Sequence, residues 1–192
     1  MAGDSAGGVA EGAWIDDRRS WNDIAASVLE PLSSASFRIL RDRRRSDVPA
    51  PGGVIDHVVI APAGAFVVRV ESWPGRVDID DGVLRSAGRL RTGEVAQVLG
   101  DAVAVSEMLD SWTGPQWSIA VWPVLCLVGE AQIGGWAGID DVHVVDVAWL
   151  ADFIQTLDPQ LGPAHVEWAY DALASHLPPV EVVEPELPVE PP

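Results

Sequence analysis

Two apolar runs, residues 54–61 and 65–71, are separated only by Pro62-Ala63-Gly64. Both runs are rich in β-branched residues, and so short a connection joins neighbouring antiparallel strands, so the pair predicts a β-hairpin. Its only ionisable side chains are Asp56, His57, Arg69 and Glu71. A chain that builds a hairpin this apolar must cover it, and the flanking periodicities supply the cover. Residues 16–32 carry Trp21, Ile24, Ala25, Val28, Leu29 and Leu32 at helical spacing, with Pro31 at the exit. Val95, Val98, Ala102, Val105, Leu109 and Trp112 define a second, longer helix.

The remaining elements follow in a readable order. Residues 37–40 predict a short strand, followed by an arginine-rich loop over 43–53. Residues 76–79 and 83–85 flank Asp80-Asp81-Gly82 and predict a second hairpin. Residues 117–128 form a nearly continuous apolar run, as expected of a strand covered on both faces. Residues 141–145 predict a further strand, with a flexible connection over 129–140. Short helices are expected near 147–157 and 163–177, the latter opening on Pro163. The core order is αβββαβ. It predicts an α/β fold with a central mixed sheet flanked by helices, plus C-terminal helices.

Composition narrows the chemistry. Acids outnumber bases 29 to 12, giving a net charge of −17, and every base is arginine. With no lysine, a Walker lysine, a Schiff base and a lysine general base are all excluded. The acidic balance opposes phosphate backbones. One cysteine, Cys126, permits neither an intramolecular disulfide nor a cysteine zinc site, and its apolar strand predicts a buried, inert thiol. No basic n-region or apolar h-region opens the chain, and no run is long enough to span a membrane, so a soluble cytoplasmic protein is expected. Residues 1–13 predict a disordered leading segment, 14–179 one domain, and 180–192 a disordered Pro/Glu-rich tail.

The stretch from Gly53 to Val77, containing Ile55-Asp56-His57, Pro62-Ala63-Gly64, Arg69-Val70-Glu71 and Ser72-Trp73-Pro74-Gly75, resembles the nuclease-related domain (NERD) family. The likeness continues in the opening helix, in Gln97, in Val121-Trp122-Pro123-Val124-Leu125-Cys126-Leu127-Val128-Gly129, and in the final helix ending Leu177-Pro178-Pro179. It covers roughly 16–179. The resemblance implies a restriction-endonuclease-like fold and metal-dependent phosphodiester cleavage at a PD-(D/E)xK site. There, carboxylates hold Mg²⁺ or Mn²⁺ through oxygen, and a lysine positions the attacking water.

This chain departs from that pattern. The hairpin aspartate is Asp56, but the Glu of the family's Glu-x-Lys falls on Arg69 and its Lys on Glu71. The acid often found in the opening helix falls on Trp21. Residues i and i+2 of a strand share a face, so Arg69 and Glu71 are expected to point together, with Asp56 opposite. The expected arrangement is an ion cluster in which Arg69 bridges Asp56 and Glu71, its guanidinium standing where a metal would sit, in a non-catalytic domain that takes a protein partner and no cofactor. The alternative is an active nuclease in which Asp56 and Glu71 bind Mg²⁺ or Mn²⁺ and Arg69 contacts phosphate.

Other features carry lesser expectations. Arg38, Arg41, Arg43, Arg44 and Arg45 form a basic island that offers a weak nucleic-acid contact or a solvated loop neutralised by the protein's own acids. His57 is expected on the strand face opposite Asp56, as a core histidine. His143, His165 and His176 lack metal-ligand spacing, although Asp140 and Asp141 stand beside His143. Most of the nine tryptophans are expected in the core, with Trp73 beneath the hairpin and Trp21 filling the cleft.

Overall fold

The computed structural model describes residues 10–34, 36–48, 53–113 and 117–180. In chain order the elements are α1 (Ala10–Leu29), β1 (Arg38–Arg44), β2 (Val54–Ala61), β3 (Gly64–Glu71), β4 (Val77–Asp80), β5 (Val83–Ser86), β6 (Arg89–Leu90), α2 (Thr92–Thr113), β7 (Val121–Leu127), β8 (Trp136–Ile139), β9 (Val142–Asp146), α3 (Leu150–Thr156) and α4 (Pro163–His176). Six strands make one mixed sheet in the order β1-β2-β3-β7-β9-β8, and β4-β5-β6 make a second, smaller sheet. Strands β1, β2 and β3 are antiparallel; β3, β7 and β9 run parallel; β8 returns antiparallel to β9. The αβββαβ core is present, with the small sheet inserted between β3 and α2, and the arrangement is restriction-endonuclease-like.

Burial explains the apolar runs. On one face α1 and α3 cover the sheet: Ala25, Leu29, Phe153 and Ile154 pack with Val59, Phe66, Val68, Val124 and Cys126. On the other face α2 and α4 do so: Val105, Leu109, Val166 and Leu173 pack with Leu40, Val58, Ile60 and Val67. Further along that second face, Leu125 and Leu127 of β7 meet Val98 of α2 and Leu84 of the small sheet. Each fully buried aliphatic side chain here contributes about 1.5–3 kcal/mol. Pro123 sits inside β7 because β9 pairing begins one residue later, at Val124↔His143, so that side of Pro123 needs no ladder donor.

Three elements differ from expectation. Helix α1 runs from Ala10 to Leu29 rather than over 16–32; residues 1–9 lie outside the description. Strand β1 runs to Arg44, so Arg41, Arg43 and Arg44 are strand residues and not loop residues. Pairing with β2 from Arg38 to Arg44, interrupted at Asp42, decides this, overriding the polar local sequence. The connection expected over 129–140 holds β8, whose glycine-rich lead is fixed by the Asp146 carboxylate: it accepts from the amides of Ile133 (2.9 Å), Gly134 (2.8 Å) and Gly135 (2.9 Å). Past α4, the Arg44 amide donates to the Pro178 carbonyl (2.9 Å) and the Val180 amide to the Asp42 carbonyl (2.8 Å), which adds a short rung to the outer edge of β1. Residues 181–192, most of the expected tail, lie outside the description. Among the described residues no helix is long and apolar enough to cross a membrane.

Candidate functional site

The hairpin opens at Asp56. The β2–β3 ladder runs from Ala61↔Gly64 to His57↔Val68 and stops there. Beyond it the Val70 amide donates not to a strand carbonyl but to Asp56 Oδ2, at 2.8 Å. On the other side, β1 skips a rung between Arg41↔His57 and Arg43↔Ile55. The skipped residue is Asp42, with φ 47°, a left-handed conformation that aspartate tolerates better than most residues. The alternation of β2 slips accordingly: Ile55 packs with Val58 and Ile60. Asp56 is thereby turned towards α1.

Helix α1 meets it with two side chains four residues apart, hence on one helical face. Arg18 Nη2 lies 3.2 Å and 3.4 Å from the two Asp56 oxygens. Asn22 Nδ2 donates to both Asp56 Oδ1 and Asp42 Oδ1, each at 3.3 Å. Asp56 is only 1 % exposed. Each of its oxygens accepts two donors, one of them cationic, which offsets the cost of burying a carboxylate.

Glu71 is held separately. Arg69 Nε donates to Glu71 Oε1 at 2.9 Å, and both side chains are nearly buried. Burial pushes the Glu71 carboxyl above its ordinary value, and Arg69 and Arg18 pull it back. The expected bridge of Arg69 between two carboxylates is therefore corrected: Arg69 takes Glu71, and Arg18 takes Asp56. The twist at Asp42 and Asp56 aims the aspartate at α1 and away from the β3 arginine. Arg69 instead faces α2, where its charge is felt by Asp101. Burial raises the Asp101 carboxyl as well, offset by Arg45 at 2.8 Å.

Arg18, Asn22, Asp42, Asp56 and Glu71 line a cleft of 480 Å³ between α1, the open end of the hairpin and the start of α2; Arg69 does not line it. Trp21 lines it, as expected from the opening-helix match. Trp73 is 5 % exposed at its edge; it is not buried beneath the hairpin as expected but in the cluster of Leu125 and Leu127 of β7, Val98 of α2 and Leu84 of the small sheet, and the Arg91 guanidinium stacks 4.6 Å above its ring. Arg91 also pairs with Glu94 at 3.2 Å. Gln97 is exposed on α2 and is not among the cleft-lining residues. Arg18, Asn22, Asp42 and Arg91 were not singled out from sequence. The four-residue spacing of Arg18 and Asn22, in phase with Ala25 and Leu29, was the available signal.

The basic island is dispersed by its strand. Arg38 pairs with Glu167, Arg41 with Asp23 (2.9 Å), and Arg45 with Asp47 (2.6 Å) and Asp101, while Arg43 donates to the Leu177 carbonyl (3.3 Å). Only Arg44 is exposed with no ion pair among the described residues. His57 is fully buried, as expected of a core residue, but it does not face away from Asp56. It lies against the Asn22 main chain near Asp42 and Arg41, without a hydrogen bond at either ring nitrogen, and burial pushes its pKa down. His143 stacks with Trp122 and Phe153, and Cys126 is buried with its thiol pushed far up by desolvation.

The PD-(D/E)xK chemistry implied above calls for a divalent cation on Asp56 and Glu71, and the residues do not fit one in this arrangement. A carboxylate offers about four lone-pair directions. Those of Asp56 face four donor contacts, from Arg18, Asn22 and Val70. Among the described residues no three His, Cys, Asp or Glu side chains are grouped to hold a metal ion. Comparison with known proteins nevertheless identifies the lineage. No curated protein and no solved structure matches the chain. The family model described as nuclease-related domain (NERD) matches residues 18–128, from the cleft arginine of α1 to the end of β7. That span is more than half of the sequence and contains every residue of the Asp56–Glu71 corner, so the chain belongs to the nuclease-related domain family.

Proposed function

We propose that this is a nuclease-related domain whose PD-(D/E)xK site has lost catalysis and serves as a non-catalytic interaction module in the cytoplasm. One observation carries the reading: each candidate metal-binding carboxylate is already neutralised by a guanidinium from this chain, Asp56 by Arg18 and Glu71 by Arg69. Arginine stays protonated at any working pH, so neither can act as the base that deprotonates a water. The lysine that would do so is absent from the whole sequence. The dispersal of the Arg38–Arg45 island among internal acids favours a protein partner over a nucleic-acid one.

The test is direct. Purified protein is incubated with supercoiled plasmid and with a labelled single strand, in Mg²⁺ and in Mn²⁺, beside Asp56→Ala and Glu71→Ala. The expected result is no cutting in any lane and no metal-dependent rise in melting temperature. Cutting that needs metal and disappears in both variants would overturn the reading and make the site an active one built on Asp56 and Glu71.

A further inference from the structure

The two outer edges of the six-stranded sheet are finished differently. The β1 edge carries Arg38, Arg41, Arg43 and Arg44, and it is capped where the chain returns: the Arg44 amide donates to the Pro178 carbonyl and the Val180 amide to that of Asp42. Strand β8, Trp136-Ala137-Gly138-Ile139, ends the other edge with no charge, no proline and no covering segment among the described residues. Edge strands are ordinarily blunted by one of these, because their free amides and carbonyls are a template for another chain. The ladder to β9 says which groups are free. Gly135 and Asp146 form a bonded rung, the Asp146 amide donating to the Gly135 carbonyl at 2.9 Å. Bonded and unbonded rungs alternate in an antiparallel pair, and the next rungs are Trp136↔Val145, Ala137↔Val144, Gly138↔His143 and Ile139↔Val142. Ala137 and Ile139 therefore turn amide and carbonyl to β9, whereas Trp136 and Gly138 turn theirs outward. Trp136 is 43 % exposed, and Gly138 is exposed as well. The small sheet leaves this edge open, since a cleft of 660 Å³ lies between β4 and Ile133, Gly134, Trp136 and Ala137.

Free groups on residues i and i+2 of one strand are self-complementary. We propose that β8 pairs with β8 of a second copy of this chain, antiparallel about a two-fold axis at Ala137, so that two six-stranded sheets become one. In that register Trp136 faces Gly138 of the partner subunit, and each amide donates to the other's carbonyl. Opposed residues share a sheet face, so the Trp136 ring stands over a glycine. A Cβ added at Gly138 meets nothing within 4 Å, so the space that ring needs is empty. On the other face Ala137 meets its own counterpart, a small side chain against a small one. Trp149, 44 % exposed and edge-on to Trp136 at 5.8 Å, extends the apolar strip that the pairing covers. Charge favours the same register. Two copies at −17 repel, but β8 itself is uncharged, and antiparallel pairing sends Asp140 and Asp141 of the two copies to opposite ends of the seam. Asp140 and its counterpart then stand about six residues apart along the seam, ~20 Å, beyond the Debye length of about 8 Å. So short a seam makes a dimer that exchanges with monomer rather than an obligate one. No residue of the 480 Å³ cleft takes part, so the pairing is independent of whether that cleft cuts phosphodiesters.

Sedimentation velocity on the full chain, over about three decades of concentration up to about 1 mM, reads the oligomeric state. The expected result is a reversible monomer–dimer equilibrium. Gly138→Glu should raise its midpoint at least about tenfold, because it fills the space over Gly138 and sets two like charges beside the two-fold axis. The monomer accommodates that side chain, since Gly138 has no positive φ and its Cβ position is open. Val103→Glu, the same charge on an exposed α2 residue, should leave the equilibrium unchanged. Amide hydrogen exchange needs no variant, and it decides alone should Gly138→Glu fail to fold. The Trp136 and Gly138 amides should exchange at least about tenfold more slowly at dimer concentrations than in dilute protein, while Ala137 and Ile139, bonded to β9 in both states, change little. A monomer at every concentration overturns the proposal. So does a dimer in which the Trp136 and Gly138 amides are unchanged, or one indifferent to Gly138→Glu, or one that Val103→Glu weakens as much, because such a dimer pairs elsewhere. Protection of those two amides already in the dilute monomer gives the edge to another segment of the chain and overturns it too.

Discussion

The two ends of the central hairpin are built from the same strands on opposite principles. At the closed end, Ala61↔Gly64 completes the ladder, every side chain is apolar, and the turn is stapled from outside: the amides of Gln160 and Leu161 both donate to the Pro62 carbonyl, at 2.7 Å and 2.8 Å. At the open end the ladder fails, a buried carboxylate takes the place of a strand carbonyl, and charge is balanced by a helix 34 to 38 residues earlier in the chain. The closed end is rigid because shape allows nothing else. The open end is held by electrostatics that other groups can replace, and it is where the cleft lies. In this chain Arg18 and Arg69 supply the cations there.

The comparison can be broken most severely at the closed end. Gly64 has φ 133°, and a Cβ there would drive into the Ala120 carbonyl that accepts the Ala65 amide. Gly64→Ala is expected to cost about 3 kcal/mol or more, read as a large fall in urea midpoint or as failure to fold. At the open end, Asp56→Ala removes the acceptor of the buried Val70 amide and one partner of Asn22. Stranded buried donors cost ~1–3 kcal/mol each, so a loss of about 2–3 kcal/mol is expected by denaturant melts. A loss equal to that of Gly64→Ala would mean that the two ends share one mechanism after all.

Arg18→Ala sharpens the contrast further. Its side chain is 39 % exposed, so the ion pair is screened, and Asp56 keeps the Val70 amide and Asn22. The expected cost is about 1 kcal/mol, and the Arg18/Asp56 double-mutant cycle should give a coupling of that order. A cost above about 3 kcal/mol would place Arg18 among the groups that dictate the fold of this end.

The smallest effect at neutral pH concerns His57. Its folded pKa lies below the ordinary 6.5 because it is buried, so the unfolded chain binds the proton more readily. Stability is therefore fully present above about pH 6.5 and is lost as pH falls from there towards the folded pKa, with a slope of up to about 1.4 kcal/mol per unit. His57→Leu should flatten that segment of the pH–stability curve while changing little at pH 8. An unchanged slope would show that another group titrates there.

Much of this molecule was legible in order along the chain. The apolar hairpin, the helices at periods of three to four residues and the Asp81-Gly82 turn each advertise a local preference strong enough to survive tertiary context. Strand β1 beyond Leu40 and strand β8 did not, because neither has a β-like local sequence. Arg41–Arg44 are polar, and Trp136–Ile139 contains Gly138; both become strands because a neighbour presents unpaired backbone groups to them. The site was legible in part. Asp56, Arg69 and Glu71 stand at the open end of the hairpin, and the Arg69–Glu71 pair follows from two residues sharing a strand face. The face taken by Asp56 and His57 did not follow from strict alternation, since Asp42 breaks it.

The sequence by itself determined which charges exist. It contains no lysine, and it places Asp56 on one strand of the hairpin and Arg69 and Glu71 on the other; these are covalent facts that no folding can alter. Only the tertiary structure decided which charge meets which. The left-handed backbone at Asp42 and the early end of the β2–β3 ladder turn Asp56 through to α1, and a helix from the start of the chain supplies its cation. Pairing of this kind depends on angles a few residues wide and on partners tens of residues away. A linear reading follows the periods of strands and helices, and carries no information about where one of those periods slips.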